Sequence, residues 1–238
     1  FVAGCDTAAI SWMSLPTAWW HELCAGLQRG DVQCPATLRW LVVGGEKADP
    51  DALRQWRAAA PEVRILNTYG PTEASIAAAW CELTYLDVEQ LGDVPLGLPV
   101  PNVRIWVLDS RQQLLPRGLP GEICIGGVGL AEAYRGAAEL TAERFPIIEL
   151  PDGSRERLYR TGDRGRYDNA GQLRFLGRMD AQLKVRGHRI EPGEVESALS
   201  MLAGVERCAV VPHGHGAGTL LVAYVTGSVQ ARRLRAAL

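Results

Sequence analysis

The feature that most constrains the fold is the stretch from Leu38 to Leu66. Leu38 to Val43 is an apolar run, broken only by Arg39, that ends in Gly44-Gly45, as expected of a buried parallel strand. Asp49-Pro50 then starts a helix, with a capping carboxylate followed by proline at the first helical position, and the helix should run to about Ala60. Val63 to Leu66 is the next strand. Strand, helix, strand with a glycine-rich loop at the first strand's carboxyl end is the α/β arrangement in which ligands bind beyond the strand ends.

The pattern changes from Asn102. Val103 to Asp109 and Glu122 to Ile125 alternate apolar and polar, as antiparallel strands with one exposed face do, which suggests a small distorted barrel. Leu140 to Phe145 reads as a short helix. Leu158 to Arg160 and Leu173 to Leu176 read as strands, separated by a turn at 168–171. A new unit begins after Asp180, with a hairpin at 182–190, a helix from Pro192 to Leu202, strands at 208–211 and 220–225, and a terminal helix from near Val229. The fold class is therefore α/β followed by a small α+β lobe.

Composition removes several functions. A formal net charge of −2 gives no reason to propose nucleic acid or an anionic membrane as partner. The six cysteines stand singly without CxxC spacing, so neither zinc nor disulfide chemistry is indicated. No hydrophobic run can span a bilayer and no signal-peptide pattern opens the chain, so a cytoplasmic compartment is expected. His213 and His215 lack a third metal ligand nearby and read as part of a glycine-rich loop. His21, in a Trp-rich helix, reads as structural.

Five segments carry chemistry: Val43-Gly44-Gly45-Glu46, the run Asn67 to Glu73, Gly121 to Gly127, Tyr159 to Asp163, and Gly177 to Asp180 running on to Glu191. Each sets a glycine beside a hydroxyl, carboxylate or guanidinium, and only a residue without Cβ lets the backbone approach a phosphate or base closely. Thr68, Tyr69 and Thr72, read as one Gly-Pro turn, combine a flat ring with hydroxyls, and Glu73 adds a hard oxygen ligand suited to Mg2+. An ordinary Tyr-Gly-Pro turn is the competing reading. Thr161-Gly162-Asp163 reads either as a Gly-Asp turn closing a hairpin or as a carboxylate placed to accept two neighbouring hydroxyls.

Taken together, Leu15-Pro16-Thr17, Asn67 to Glu73, Gly121 to Tyr134, Tyr159 to Asp163 and Gly177 to Glu196 resemble, in order, the core motifs of amino-acid adenylation domains of nonribosomal peptide synthetases. These belong to the superfamily of acyl-CoA synthetases and firefly luciferase. The resemblance implies the C-terminal part of a large adenylate-forming core over residues 1–179, with an α/β part to about 101 and a barrel-like part over 102–179. A small mobile lobe follows over 180–238, incomplete at its end, with the hinge at Asp180. Lys184 and Gly187 would lie on the lobe surface presented to the site in the second step, or belong to a surface hairpin with no catalytic part.

The same resemblance implies activation of an amino acid by ATP and Mg2+ to aminoacyl-AMP, then transfer to the phosphopantetheine thiol of a peptidyl carrier protein; a small activating accessory protein is a further partner it allows. Tyr69 would stack on adenine, Asn67 bond its amino edge, and Gly45, Glu46, Thr68 and Gly70 border the nucleotide. Thr72 would hold phosphate, Glu73 the metal and Asp163 the ribose hydroxyls, with Phe175 near the ribose and Arg178 on the nucleotide. Ala18, Val42, Gly44, Thr68, Ile76 and Ala77 would line a small, mostly apolar substrate pocket. An upstream phosphate loop with its Lys, an upstream Asp for the substrate ammonium and a distal catalytic Lys are not among the 238 residues. The chain alone is thus expected to adenylate very weakly or not at all. An acyl- or aryl-CoA ligase and a non-catalytic platform that binds a carrier protein are the competing functions.

Overall fold

The computed structural model describes residues 2–87, 92–180, 182–185, 188–214, 220–229, 232 and 234. The chain divides into two compact units, Phe1–Met179 and Asp180–Leu238.

The first unit contains α1 (Val2–Thr7) and two sheets. In the first sheet β1 (Trp12–Pro16), β2 (Trp40–Gly44) and β3 (Arg64–Tyr69) run parallel, and β4 (Ala79–Glu82) and β5 (Leu98–Pro99) continue it antiparallel. Helices α2 (Thr17–Arg29) and α3 (Pro50–Ala59) fill the connections between the parallel strands. Asp49 caps α3 as its sequence predicts, its Oδ1 accepting from the Asp51 and Ala52 amides at 2.6 and 3.4 Å, an arrangement worth about 1 kcal/mol. Leu41, Val43 and Ile65 from the strands meet Trp20, Cys24, Leu53 and Trp56 from the helices in one core. Fully burying each large side chain there contributes about 1.5–3 kcal/mol.

The apolar run of β2 is nevertheless covered unequally. Leu41 and Val43 are buried, whereas Trp40 and Val42 on the other face are only partly so. On that face the Arg64 guanidinium lies 3.8 Å over the Trp40 ring and pairs with Glu82 through two nitrogens.

The second sheet is antiparallel, with β6 (Val103–Leu108), β7 (Gly121–Gly127), β9 (Arg155–Tyr167) and β10 (Leu173–Arg178) in the order β10-β9-β7-β6, and β8 (Ile147–Glu149) paired to β9. The expected distorted barrel takes this form. Helix α4 (Ala138–Arg144) connects β7 to β8. The two sheets are joined where Leu96 donates to the Leu173 carbonyl and Leu173 donates to that of Gly97, at 2.8 and 2.9 Å. Tyr69, Ile105, Ile123 and Leu173 pack around that joint, with Phe175 against them.

Two local readings are corrected. Asn67, Thr68 and Tyr69 continue strand β3 instead of opening a turn, because their backbones pair with Cys81, Trp80 and Ala79 of β4. Thr161-Gly162-Asp163 closes no hairpin: it lies inside the 13-residue strand β9. Strands β4 and β5 are additional to the elements that the sequence pattern predicts.

In the second unit β11 (Leu183–Val185) and β12 (His188–Ile190) form the expected hairpin, followed by α5 (Pro192–Ser200) and the antiparallel pair β13 (Val205–His213) and β14 (Leu220–Gly227). Glu196 of α5 accepts from the Val210 amide at 2.8 Å, and Leu199 and Val210 are buried. Phe1, Gly187, His215, the Lys184 side chain and most of the expected terminal helix lie outside the described residues. No described helix is long and apolar enough to cross a membrane. The six cysteines are unpaired, and Cys124 is fully buried in β7 as a small apolar residue.

Candidate functional site

The site is built on a bulge. Glu122 pairs with Arg164 and Cys124 with Arg160, so Thr161, Gly162 and Asp163 stand opposite Ile123 alone. Such a bulge leaves residues off the ladder and re-aims their side chains. Gly162 adopts φ 71°, a backbone region that glycine enters without strain. The displaced polar groups all find partners. Thr161 Oγ1 donates to the Ile123 carbonyl at 2.7 Å and accepts from the Asp163 amide at 2.9 Å. Glu122 Oε1 accepts from the Gly162 amide at 3.1 Å, and its Oε2 accepts from Arg160 Nε and Nη2 at 3.0 and 2.8 Å.

The bulge aims the buried Asp163 at two side chains. Tyr69 at the end of β3 donates its hydroxyl to Oδ2 at 2.6 Å, and Arg178 Nη1 at the end of β10 donates to Oδ1 at 2.7 Å. Arg178 Nη2 also donates to the Thr161 carbonyl at 3.2 Å. Burial, reinforced by the Asp163 charge, pushes the Tyr69 phenol well above its ordinary range, so it remains a donor near neutral pH. A buried carboxylate is thus neutralised by a guanidinium and held by a phenol 94 residues away in sequence.

Asn67 lies on the same strand face as Tyr69. Its Nδ2 donates to the Pro95 carbonyl at 2.9 Å, while its buried Oδ1 has no partner. An orphaned acceptor costs about 1–3 kcal/mol. Gly44 faces Thr68 across the β2–β3 register, and a Cβ at Gly44 would lie 2.4 Å from Thr68 Oγ1. Thr68 Oγ1 donates to the Val43 carbonyl at 3.0 Å. Gly45 and Glu46 follow β2, where the Glu46 carbonyl accepts from Thr17 Oγ1 at 3.3 Å and ties the loop to the start of α2.

Thr72 and Glu73 lie in a single 3-10 turn, Thr72–Ala74, that follows Gly70 and Pro71. Glu73 is 8 % exposed and its Oε1 accepts the Tyr134 hydroxyl at 2.6 Å. Tyr134 ends the segment that begins at Gly121, but its position carries no local sign of a partner 61 residues earlier; nor does Glu122 show locally that it shapes a bulge 40 residues later. No group of three His, Cys, Asp or Glu that could hold a metal occurs among the described residues. A cation here would rely on Glu73 together with substrate oxygens, as Mg2+ does.

Of the expected pocket residues, Val42, Gly44 and Thr68 share one sheet face and Ala18 is buried at the start of α2. Ile76, at φ 72°, is 75 % exposed in the loop beyond the 3-10 turn, beside the half-buried Ala77. Phe175 packs near Tyr69, and Asp180 is exposed. Two surface hollows, of about 480 Å3 beside Arg57 and Tyr85 and about 350 Å3 beside Leu98 and Tyr167, contain none of these residues. His21 Nε2 accepts from the Asp49 amide at 3.2 Å, and burial lowers its pKa, which fits a structural role.

Residues 1–135 match the family model described as AMP-binding enzyme. Over 212 residues the chain is 43 % identical to an isonitrile lipopeptide synthase of Streptomyces coeruleorubidus, covering 89 % of this chain and 14 % of the relative. It is 42 % identical to tyrocidine synthase 2 of Brevibacillus parabrevis, covering 86 % and 6 %. Among solved structures, holo-PA1221, an NRPS protein containing adenylation and PCP domains bound to a vinylsulfonamide inhibitor, superposes with a TM-score of 0.87 at 29 % identity, covering 98 % of this chain and 40 % of that one. The chain therefore spans a small part of the curated relatives it matches and less than half of that solved chain.

Proposed function

We propose, from the premise that the chain belongs to the AMP-binding enzyme family, that it forms a portion of an amino-acid adenylation domain acting in nonribosomal peptide synthesis. In the reaction the amino-acid carboxylate attacks the α-phosphorus of ATP and pyrophosphate leaves. The thiol of a carrier-bound phosphopantetheine then attacks the acyl carbon and AMP leaves, giving a thioester. The similarity to synthases and to a structure with a PCP domain supports the carrier as partner. Both steps belong to the cytoplasm.

The observation that carries the proposal is the meeting of Tyr69, Asp163 and Arg178 through bonds of 2.6 and 2.7 Å. Asp163 is a fixed carboxylate for ribose hydroxyls, each oxygen retaining a second lone pair beyond its present partner. Tyr69 stacks on the adenine and Asn67 bonds its amino edge. Gly45, Glu46, Thr68 and Gly70 border the nucleotide through backbone that approaches closely, and Phe175 packs beside the sugar. Thr72 bonds phosphate, Arg178 adds a cation near it, and Glu73 is the residue that would hold Mg2+. When bound, the metal would neutralise charge on the phosphates. Ala18, Val42, Gly44, Thr68, Ile76 and Ala77 border the amino-acid side chain, and Asp180 is the hinge that reorients the smaller unit between the two steps. The chemistry asks these residues for position and charge rather than for a covalent intermediate.

The test separates binding from turnover. ATP, and more strongly a non-hydrolysable aminoacyl-AMP analogue, should raise the melting temperature of the 238-residue chain. Pyrophosphate exchange by the chain alone should be near background with amino acids and with fatty or aryl acids alike. Exchange at normal turnover would refute the expected weakness of the isolated chain. A melting temperature indifferent to both nucleotides would remove the adenylating reading and favour a non-catalytic platform.

A further inference from the structure

Glu73 is nearly buried, and the loop between β7 and α4 is tied to its turn. The Ala131 amide donates to the Glu73 carbonyl at 2.8 Å, and Ser75 Oγ donates to the Gly129 carbonyl at 2.7 Å. Arg157 fixes that loop by donating to the carbonyls of Ala131 and Glu132 at 2.8 and 2.6 Å. Tyr134 sits at its end, its amide donating to Thr141 Oγ1 of α4 at 3.0 Å and its ring edge-on to Phe145 with centroids 5.6 Å apart. With backbone and ring both set, the phenol reaches Glu73 Oε1 at 2.6 Å, and Tyr159 Oη lies 3.4 Å from the same phenolic oxygen.

We propose that Tyr134 is a positioning residue: its phenol, held by the β7–α4 loop and supported by Tyr159, fixes one oxygen of Glu73 and so sets the orientation in which that carboxylate meets a magnesium-bound triphosphate. This rests on the reading of Glu73 as the metal-holding residue. A phenol suits the task because it donates a hydrogen bond without adding a positive charge that would compete with the cation. A lysine or arginine at 134 would pair with Glu73 and weaken its attraction for Mg2+. The tie also links the family's tyrosine-containing segment at 134 to the acidic turn 61 residues earlier.

The test uses Tyr134→Phe in the whole 238-residue chain, with the melting temperature read against Mg2+ concentration at fixed ATP, and against ATP in the presence of a chelator. A hydrogen bond to a charged group carries about a tenfold effect or more. Tyr134→Phe should therefore raise the Mg2+ concentration needed for half the metal-dependent shift by about tenfold, leaving the metal-free ATP shift unchanged. Leu53→Ala, in the core between the first sheet and its helices and away from Tyr134, serves as the packing control. It should lower the melting temperature without ligand while keeping the wild-type Mg2+ midpoint. Equal Mg2+ midpoints in wild type and Tyr134→Phe would overturn the proposal, as would an equal displacement of the midpoint by Leu53→Ala, which would mark the effect as lost stability alone. A wild-type ATP shift indifferent to Mg2+ would also overturn it, while leaving the nucleotide reading intact. No shift with ATP under any condition would sink the nucleotide reading itself, and the positioning role with it.

Discussion

Asp163→Ala should lower the unfolding free energy by about 3–5 kcal/mol and eliminate the rise in melting temperature produced by ATP. The first effect follows from burial: the Asp163 and Arg178 side chains are 5 % and 13 % exposed. Removing one partner of a buried pair leaves an uncompensated charge, at a cost of about 3–5 kcal/mol. The Tyr69 hydroxyl loses its acceptor as well. The second effect follows from the carboxylate being the proposed sugar anchor. Thermal denaturation with and without ATP checks both. A variant that melts far below wild type yet keeps the full ATP-induced shift would show that Asp163 is structural only.

Glu122→Ala should produce nearly the same loss of nucleotide binding from a residue proposed to touch no ligand. Glu122 holds the bulge from behind, through the Gly162 amide and the Arg160 guanidinium. Arg160 is about a third exposed, so solvent screens part of the penalty and the expected destabilisation is smaller, about 2–3 kcal/mol. Without the carboxylate, the Gly162 amide loses its acceptor, and the bulge, with φ 71° at its centre, is held by the Thr161 bonds and the Met179 amide without its strongest charged anchor. Asp163 then loses its aim. Glu122→Gln keeps an acceptor for the Gly162 amide and should retain part of the ATP shift. Chemical denaturation and ATP titration of the two variants measure the difference, and ATP binding unaffected in Glu122→Ala would contradict the role given to the bulge.

What the amino-acid sequence made legible was local. The Asp49-Pro50 cap, the apolar run of β2 and the alternation of β6 and β7 each declare an element within a few residues, and those elements are present. Strands β4 and β5, of four and two residues, are too short to show a period; β4 exists because β3 offers an open edge, and β5 because β4 offers the next. The Gly-Asp step of β9 misled for a physical reason: a tight turn and a bulge both want a glycine at positive φ, and only the partner strand tells them apart.

The candidate site was legible as a set of residues because the family resemblance supplied the order of the motifs. Its geometry was not. Nothing near Tyr134 names Glu73, and nothing near Asn67 announces that its amide nitrogen is taken by Pro95 while its oxygen is left over. Contacts between residues tens of positions apart depend on how the two sheets join at Gly97 and Leu173.

The central claim is that Asp163 grips the sugar of a bound nucleotide. It is tested most directly by comparing ATP with 2′,3′-dideoxy-ATP in wild type and in Asp163→Asn, each read as nucleotide affinity from the melting shift. Two charge-assisted hydrogen bonds predict that wild type prefers ATP by at least about tenfold and that Asp163→Asn loses most of that preference. A preference that survives undiminished in Asp163→Asn would place the sugar elsewhere and contradict the account.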